Sequence, residues 1–182
     1  MILLALGGNL PHPRFGEPRR TLEAALTALT RRGVRIVRRS GWYETAPVPD
    51  DGQPWYVNGV AVLDTELGPA ELLELLLAVE AEFGRERTAR NAPRMIDLDL
   101  LAYHDQSTWS EAAPATTLEL PHPRLHERAF VLLPLAETAP EWRHPVLGRS
   151  VREMIEALPP GQRVQPGGED EGPSVAGRRS LR

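Results

Sequence analysis

A chain of 182 residues with 41% apolar residues and a formal net charge of −4 is expected to fold as one domain with a substantial core. The negative charge argues against a general nucleic-acid-binding protein. The chain has no cysteine, which excludes disulfides, thiol nucleophiles and cysteine-ligated zinc. All 21 basic residues are arginine, so neither a catalytic lysine nor a P-loop lysine is available.

The two ends of the sequence predict a cytoplasmic protein with a short tail. Residues 1–10 are apolar but lack the basic region and cleavage site of a signal peptide, and they are too few to cross a membrane. We therefore expect no membrane partner. Residues 159–182 are dominated by Gly, Pro, Arg and acidic residues, which predicts a disordered tail after a single domain at 1–158.

Hydrophobic periodicity predicts the element order β-α-β-β-α-β, followed by smaller elements. The predicted strands cover 2–6, 34–43, 55–63 and a segment around 96–101, with a further short strand at 118–120. The predicted helices cover 18–31, 69–83, 130–135 and 151–158. This order predicts an α+β, ferredoxin-like fold, in which helices pack on one face of an antiparallel sheet. The other face is left for a ligand or for added elements.

Two connecting segments each allow a structural and a functional interpretation. Gly7, Gly8 and Asn9 end the first strand, where glycine permits a sharp turn or a close approach of backbone to a ligand. Residues 45–54 are rich in proline and glycine and are too long for a tight hairpin. Such a loop is either a lid or binding loop, or a surface excursion.

The strongest chemical signal is Asp97 and Asp99, which interrupt an apolar run. Side chains alternate along a strand, so both carboxylates point to one face. Two adjacent carboxylates repel each other unless a cation lies between them. The preceding segment supplies four fixed positive charges: Arg85, Arg87, Arg90 and Arg94. The pattern indicates a Mg²⁺-bound polyphosphate, with carboxylates on the metal and arginines on the phosphate oxygens.

Three further residues admit either a core role or a ligand role. Tyr56 and Asn58 share one face of a predicted strand and would offer a ring and an amide to a flat polar heterocycle. An ordinary strand aromatic is the alternative for Tyr56. Phe130 begins an apolar helix, so its own pattern indicates a core position.

Glu80 and His122 are polar residues in constrained positions. Glu80 falls on the apolar stripe of its helix and therefore needs a partner, either in a structural ion pair or within a site. His122 lies between two prolines, which hold the backbone extended. This suits a positioned hydrogen-bond donor better than a metal ligand, since no second histidine follows at a ligand spacing.

A series of short motifs runs through the first 140 residues or so. They are Leu6-Gly-Gly-Asn-Leu10, Tyr43-Glu-Thr45, Gln53-Pro-Trp-Tyr56-Val-Asn58, Glu80, Gly84-Arg85-Glu-Arg87, Pro93-Arg94-Met-Ile-Asp97-Leu-Asp99, Pro121-His122-Pro123-Arg124 and Arg128-Ala-Phe130-Val-Leu. Each is weak alone, but their order and spacing are highly specific. In these motifs the chain resembles the 6-hydroxymethyl-7,8-dihydropterin pyrophosphokinases of folate biosynthesis.

The resemblance implies a transfer of diphosphate from ATP to the pterin hydroxymethyl group, with release of AMP. It implies that Asp97 and Asp99 hold two Mg²⁺ ions, and that Arg85 and Arg94 act with them in catalysis. The implied ATP-binding residues are Glu80, Arg85, Arg87, Arg90, Arg94, His122 and Arg128, of which Arg87 and Arg90 belong to a mobile loop. The implied pterin-binding residues are Thr45, Val48, Tyr56, Asn58 and Phe130, with Tyr56 and Phe130 sandwiching the ring.

The chain departs from the family pattern at several positions. Gly8 stands where serine is usual, Ala46 delays a common proline, Leu77 replaces a frequent glutamine and Asn91 replaces a frequent aromatic residue. These departures bear on lid closure and on one phosphate contact. We expect the metal pair and the pterin clamp to be intact.

Two other classes share part of this pattern. A metal-dependent nucleotidyl or glycosyl transferase also uses Asp-x-Asp with nucleotide phosphates, but it does not require Tyr56, Asn58 and Phe130. A ferredoxin-like RNA-binding module requires exposed aromatics and a basic sheet face. Asp97 and Asp99 on a central strand would argue against that module. We expect small-molecule substrates, no nucleic acid and a monomer.

Overall fold

The computed structural model describes residues 1–47, 52–85, 93–108 and 118–168. Its strands are β1 (Ile2–Gly8), β2 (Arg35–Arg39), β3 (Tyr43–Thr45), β4 (Tyr56–Asp64), β5 (Asp97–Tyr103) and β6 (Val164–Pro166). Its helices are α1 (Pro18–Thr30), α2 (Pro69–Glu82), α3 (Ala129–Thr138) and α4 (Val151–Glu156), with a 3₁₀ turn at Leu125–Glu127. The four main helices begin within one residue of their predicted starts.

All the strands form one antiparallel sheet in the order β5-β1-β4-β3-β6, with β2 also paired to β4. One side of β4 is taken by β1 along its length, so β2 and β3 occupy the other side in succession. If β2 and β3 are counted as one interrupted strand, the order is that of a ferredoxin-like sheet. The predicted fold class is confirmed.

The prediction of one continuous strand over 34–43 is wrong, because residues 40–42 separate β2 from β3. The Ser40 backbone N–H donates to the Val60 carbonyl at 2.9 Å, and the Ser40 hydroxyl accepts from the Val60 N–H at 3.0 Å. The Trp42 ring turns into the core over Gly59, where a Cβ would lie 3.0 Å from the ring. Burial of this large side chain interrupts the regular strand.

Helices cover both faces of the sheet. One face carries α1 and α2 over side chains such as Leu4, Leu6 and Leu98. The opposite face carries α3 and α4 over Leu3 and Val60. The face that the sequence left for a ligand or for added elements therefore holds two added helices. Within the described ranges, no helix is long and apolar enough to cross a membrane.

Two expectations for the C-terminal half need correction. Residues 118–120, all described, form no strand. Among the described residues, the backbone of Leu118 and Leu120 forms hydrogen bonds with Thr108. The tail predicted from residue 159 begins too early, because β6 at Val164–Pro166 pairs with β3 and extends the sheet. Residues 169–182 of that predicted tail lie outside the described residues.

Candidate active site

The Asp97/Asp99 strand lies at the edge of the described sheet. Among the described strands, β5 pairs with β1 alone, so the expectation that Asp97 and Asp99 lie on a central strand is wrong. The β1 residue Gly7 is opposite Asp97 on one side and opposite Asn58 on the other. Residues opposite each other in a sheet share a face, so Asp97 and Asn58 flank a position without a side chain. A Cβ on Gly7 would lie 2.9 Å from Asn58 Oδ1.

Asp97 is held by two guanidinium groups. Arg94 Nη1 donates to Asp97 Oδ2 at 2.9 Å, and Arg85 Nη1 lies 2.8 Å from Asp97 Oδ1. Burial and the like charge of Asp99 raise the pKa of Asp97, although both arginines oppose the rise. The structure thus brings together the predicted carboxylates with two of the predicted arginines.

Glu80 joins this cluster from helix α2. Its side chain is only 2% exposed, and its Oε1 accepts from the Leu98 backbone N–H at 2.6 Å and from Arg85 Nη1. Burial raises the pKa of Glu80 to about 7, against the stabilising Leu98 bond and Arg85 charge. Arg85 therefore bridges Glu80 and Asp97, which are the two least solvated carboxylates of the site.

Asp99 faces a different arginine. Arg128 Nη1 lies 3.8 Å from Asp99 Oδ2, and the Arg128 guanidinium carbon lies 5.6 Å from the centre of the Phe130 ring. Burial lowers the pKa of Arg128, although Asp99 opposes this shift. Arg128 thus connects the acidic strand to Phe130 at the start of α3.

His122 lies close to Arg128 and Asp97, on the segment between its two flanking prolines. Its backbone N–H bonds the Leu101 carbonyl at 2.8 Å, which ties the 121–123 segment to β5. Its Nδ1 accepts from the Arg124 N–H at 3.1 Å, so in the neutral ring Nε2 carries the proton. Burial, with the charge of Arg128, lowers the pKa of His122 to about 4. The ring is uncharged at neutral pH, with Nε2–H available to donate.

The predicted pterin residues lie on β3, β4 and α3. Asn58 is buried and its Nδ2 donates to the buried Thr45 Oγ1 at 2.6 Å. Tyr56 is on the same face of β4 as Asn58, which is the face that α3 covers. Phe130 is half-buried in the first turn of α3. The predicted Val48, Arg87 and Arg90, with Asn91, lie outside the described residues.

The end of β1 lies against neighbouring protein groups at Gly7, Gly8 and Asn9. Asn9 is 2% exposed, its Nδ2 donates to the Pro54 carbonyl at 3.1 Å, and its Oδ1 accepts from the Arg94 N–H at 2.9 Å. A Cβ on Gly8 would lie 2.5 Å from the Met95 carbonyl oxygen, so no serine fits there without movement. The glycines admit neighbouring protein groups. Asn9 joins the backbones of Pro54 and Arg94, a contact that the sequence did not predict beyond the place of Asn9 in the first motif.

The donor set formed by Asp97 and Asp99 fits Mg²⁺. Asp97 Oδ1 is buried and, among the described residues, receives no hydrogen bond of normal geometry. Carboxylate oxygens are preferred Mg²⁺ ligands, and this ion keeps positions for water and substrate phosphates. The described ranges contain no cluster of three or more metal-ligating side chains. An ion on this pair would therefore take its other ligands from substrate and water.

The family model and the relatives that match this chain agree on one family. Residues 3–140 match the family model described as 7,8-dihydro-6-hydroxymethylpterin-pyrophosphokinase (HPPK). A Methylorubrum extorquens protein named 2-amino-4-hydroxy-6-hydroxymethyldihydropteridine pyrophosphokinase is 42% identical over 158 residues, covering 86% of this chain and 92% of its own length. A Pseudomonas aeruginosa protein of the same name is 42% identical over 159 residues, covering 87% of this chain and 91% of its own length.

The fold likeness extends to more distant solved structures. A Plasmodium falciparum HPPK-DHPS crystallised with pteroate superposes with a TM-score of 0.68 at 15% identity. The match covers 86% of this chain but only 44% of that longer chain. At this identity the likeness concerns the fold alone.

Proposed function

The chain belongs to the 7,8-dihydro-6-hydroxymethylpterin-pyrophosphokinase family, and we propose that it transfers diphosphate from ATP to 6-hydroxymethyl-7,8-dihydropterin in folate biosynthesis. The hydroxymethyl oxygen bonds to the β-phosphorus of ATP and loses its proton. The bond from that phosphorus to the oxygen bridging the α-phosphorus breaks, and AMP leaves with the bridging oxygen. The products are the pterin diphosphate and AMP.

The single observation that carries this proposal is the position of Gly7 between Asp97 and Asn58. It places a paired carboxylate site and a buried amide on one face of the sheet, separated by one strand. Adjacent strands lie about 4.8 Å apart, so the two groups are about 10 Å apart across the sheet. Phosphate and heterocycle groups of two substrates would thus meet on this face.

The charged side of the site consists of Glu80, Arg85, Arg94 and Asp97, which we call the charged cluster. Asp97 and Asp99 would hold Mg²⁺, and we assign two ions to them by family likeness. When bound, the metal supplies positive charge to the phosphate oxygens. Among the described residues, Arg85 and Arg94 are the guanidinium groups that pair with Asp97, and we assign them to the phosphates.

Within the charged cluster, Glu80 has a supporting role. It orients Arg85 by an ion pair and fixes the start of β5 through the Leu98 N–H. Phosphoryl-type transfer depends on positioning and on charge stabilisation. His122 Nε2–H and the Arg128 guanidinium add one neutral and one charged donor on the ATP side.

The neutral side of the site consists of Thr45, Tyr56, Asn58 and Phe130, which we call the pterin wall. Asn58 Nδ2 donates to Thr45 Oγ1, so we assign Asn58 Oδ1 as the acceptor for a donor on the pterin. Tyr56 and Phe130 supply the two rings that we assign to opposite faces of the pterin. Val48 remains a prediction for the same ligand.

The experiment that tests this function is incubation of the protein with ATP, Mg²⁺ and hydroxymethyldihydropterin, followed by separation of the nucleotides. We expect AMP to form only when the pterin is present. ADP as the sole nucleotide product would replace this function with that of an ordinary kinase. The cytoplasmic location, the monomeric state and the absence of nucleic-acid or membrane partners stay predictions.

A further inference from the structure

The segment from Gln162 to Pro166 lies beyond the residues that match the family model, yet it returns to the pterin wall. β6 pairs with β3 so that Val164 is opposite Thr45. The Arg163 carbonyl accepts from the Ala46 N–H at 3.1 Å, and the Arg163 guanidinium carbon lies 5.6 Å from the centre of the Trp55 ring. This segment therefore supports both ends of the 46–55 loop.

The Gln162 side chain makes two hydrogen bonds to the start of α3. Its Oε1 accepts from the Ala129 backbone N–H at 2.8 Å, and its Nε2 donates to the Glu127 carbonyl at 2.9 Å. The first N–H groups of a helix have no partner within the helix. The N-cap residue Arg128 provides no side-chain cap here, so the amide of Gln162 serves instead.

These two hydrogen bonds hold the peptide groups on either side of Arg128. The Arg128 side chain reaches Asp99, and the ring of the next aromatic residue, Phe130, lies beneath its guanidinium. Fixing the peptide units before and after Arg128 limits the directions that its side chain adopts. The same constraint sets the first turn of α3, which presents Phe130.

We propose that Gln162 is a positioning residue for diphosphate transfer, acting through Arg128 and Phe130. This inference rests on the proposed function, since it concerns the same site. Neither Gln162 atom is assigned to substrate. Its amide group provides one acceptor and one donor, both of which the contacts require.

The test compares Gln162→Ala with Gln165→Ala in the full chain. Gln165 is a matched control, because it lies in the same segment and its Nε2 donates to the Glu44 carboxylate on β3 at 2.9 Å, away from Arg128. We expect Gln162→Ala to lower kcat/KM for the pterin about tenfold, the scale of one lost hydrogen bond, while Gln165→Ala stays near the wild type. Equal kcat/KM values for the two variants would overturn the inference.

A double-variant comparison separates positioning from general stability. In the Arg128→Ala background, Gln162→Ala should lower kcat/KM by a smaller factor than in the wild type, because residues that act together are not additive and only the part that acts through Phe130 is left. Full additivity would show that Gln162 does not act through Arg128. Melting temperatures of all variants show whether each is folded.

An activity-independent measurement keeps this inference separate from the proposed function. Hydrogen exchange at the Ala129 amide, followed by NMR, should be about tenfold faster in Gln162→Ala than in Gln165→Ala. Unchanged exchange would reject the cap, even if AMP forms normally. Faster exchange in a protein that makes no AMP would support the cap while rejecting the function.

Discussion

The charged cluster and the pterin wall are built in different ways. Glu80, Arg85, Arg94 and Asp97 all lie between positions 80 and 97 and are joined by ion pairs. The pterin wall and the 162–166 segment behind it come from β3, β4, α3 and β6. Neutral hydrogen bonds and strand pairing hold these elements together. The charged groups of the site thus come from one short segment of the chain. The shape of the pterin wall depends on elements from distant parts of the chain. The cluster should be sensitive to charge and pH, and the wall to the loss of single contacts.

The largest effect is expected in the charged cluster. Replacing Asp97 with Ala or Asn should reduce AMP formation at least about a hundredfold, the scale of losing one preorganised electrostatic group. Asp64→Asn is the matched control, because Asp64 pairs with Arg35 at an exposed end of β4. Near-normal AMP formation by the Asp97 variants, with Mg²⁺ and pterin present, would refute the role of this carboxylate.

A smaller and more selective effect is expected in the pterin wall. Tyr56→Ala should weaken pterin binding about tenfold, within the range of one lost aromatic contact, and leave ATP binding largely intact. Tyr56→Phe retains the ring and should bind the pterin almost as the wild type does. Calorimetry with each ligand separates the two sides. Unchanged pterin affinity in Tyr56→Ala would contradict the clamp.

A further effect is expected on stability rather than on activity, and it concerns Glu80. A pKa raised from 4.5 to about 7 means that the folded protein holds a proton that the unfolded chain releases in that window. Stability must then fall as pH rises from about 4.5 through about 7, by up to about 3 kcal/mol from this group. Glu80→Gln, which has no proton to release, should lose this part of the pH dependence.

Denaturant unfolding at several pH values measures this contribution. The free energy of unfolding of Glu80→Gln, relative to the wild type, should increase with pH across the window. Glu82→Gln on the same helix is the control, because Glu82 is exposed and pairs with Arg32. Parallel pH profiles for the wild type and Glu80→Gln would rule out the raised pKa.

The same contrast explains what the sequence could predict. Alternation along a strand placed Asp97 and Asp99 on one face, and the apolar stripe of α2 marked Glu80 as a residue in need of a partner. These signals are local. Alternation alone does not tell which strands are neighbours, so the placement of β1 between Asp97 and Asn58 was missed.

Residues whose contacts are far away in the sequence show almost no recognisable sequence pattern. Gln162 lies in a stretch whose composition predicts disorder, and its partners at 127 and 129 are more than thirty residues away. The local pattern predicts that Trp42 is part of a strand, because the burial of its ring depends on the folded core. Asn9 looks like a turn residue, and its two side-chain bonds appear only once Pro54 and Arg94 fold against it.

The central claim is that both phosphates beyond the α-phosphate pass together to the pterin alcohol. Phosphorus NMR of a reaction containing the protein, Mg²⁺, ATP and hydroxymethyldihydropterin tests this most directly. We predict two coupled phosphorus signals from a pterin diphosphate, in equal amount with the single signal of AMP. A pterin monophosphate accompanied by ADP would contradict diphosphate transfer.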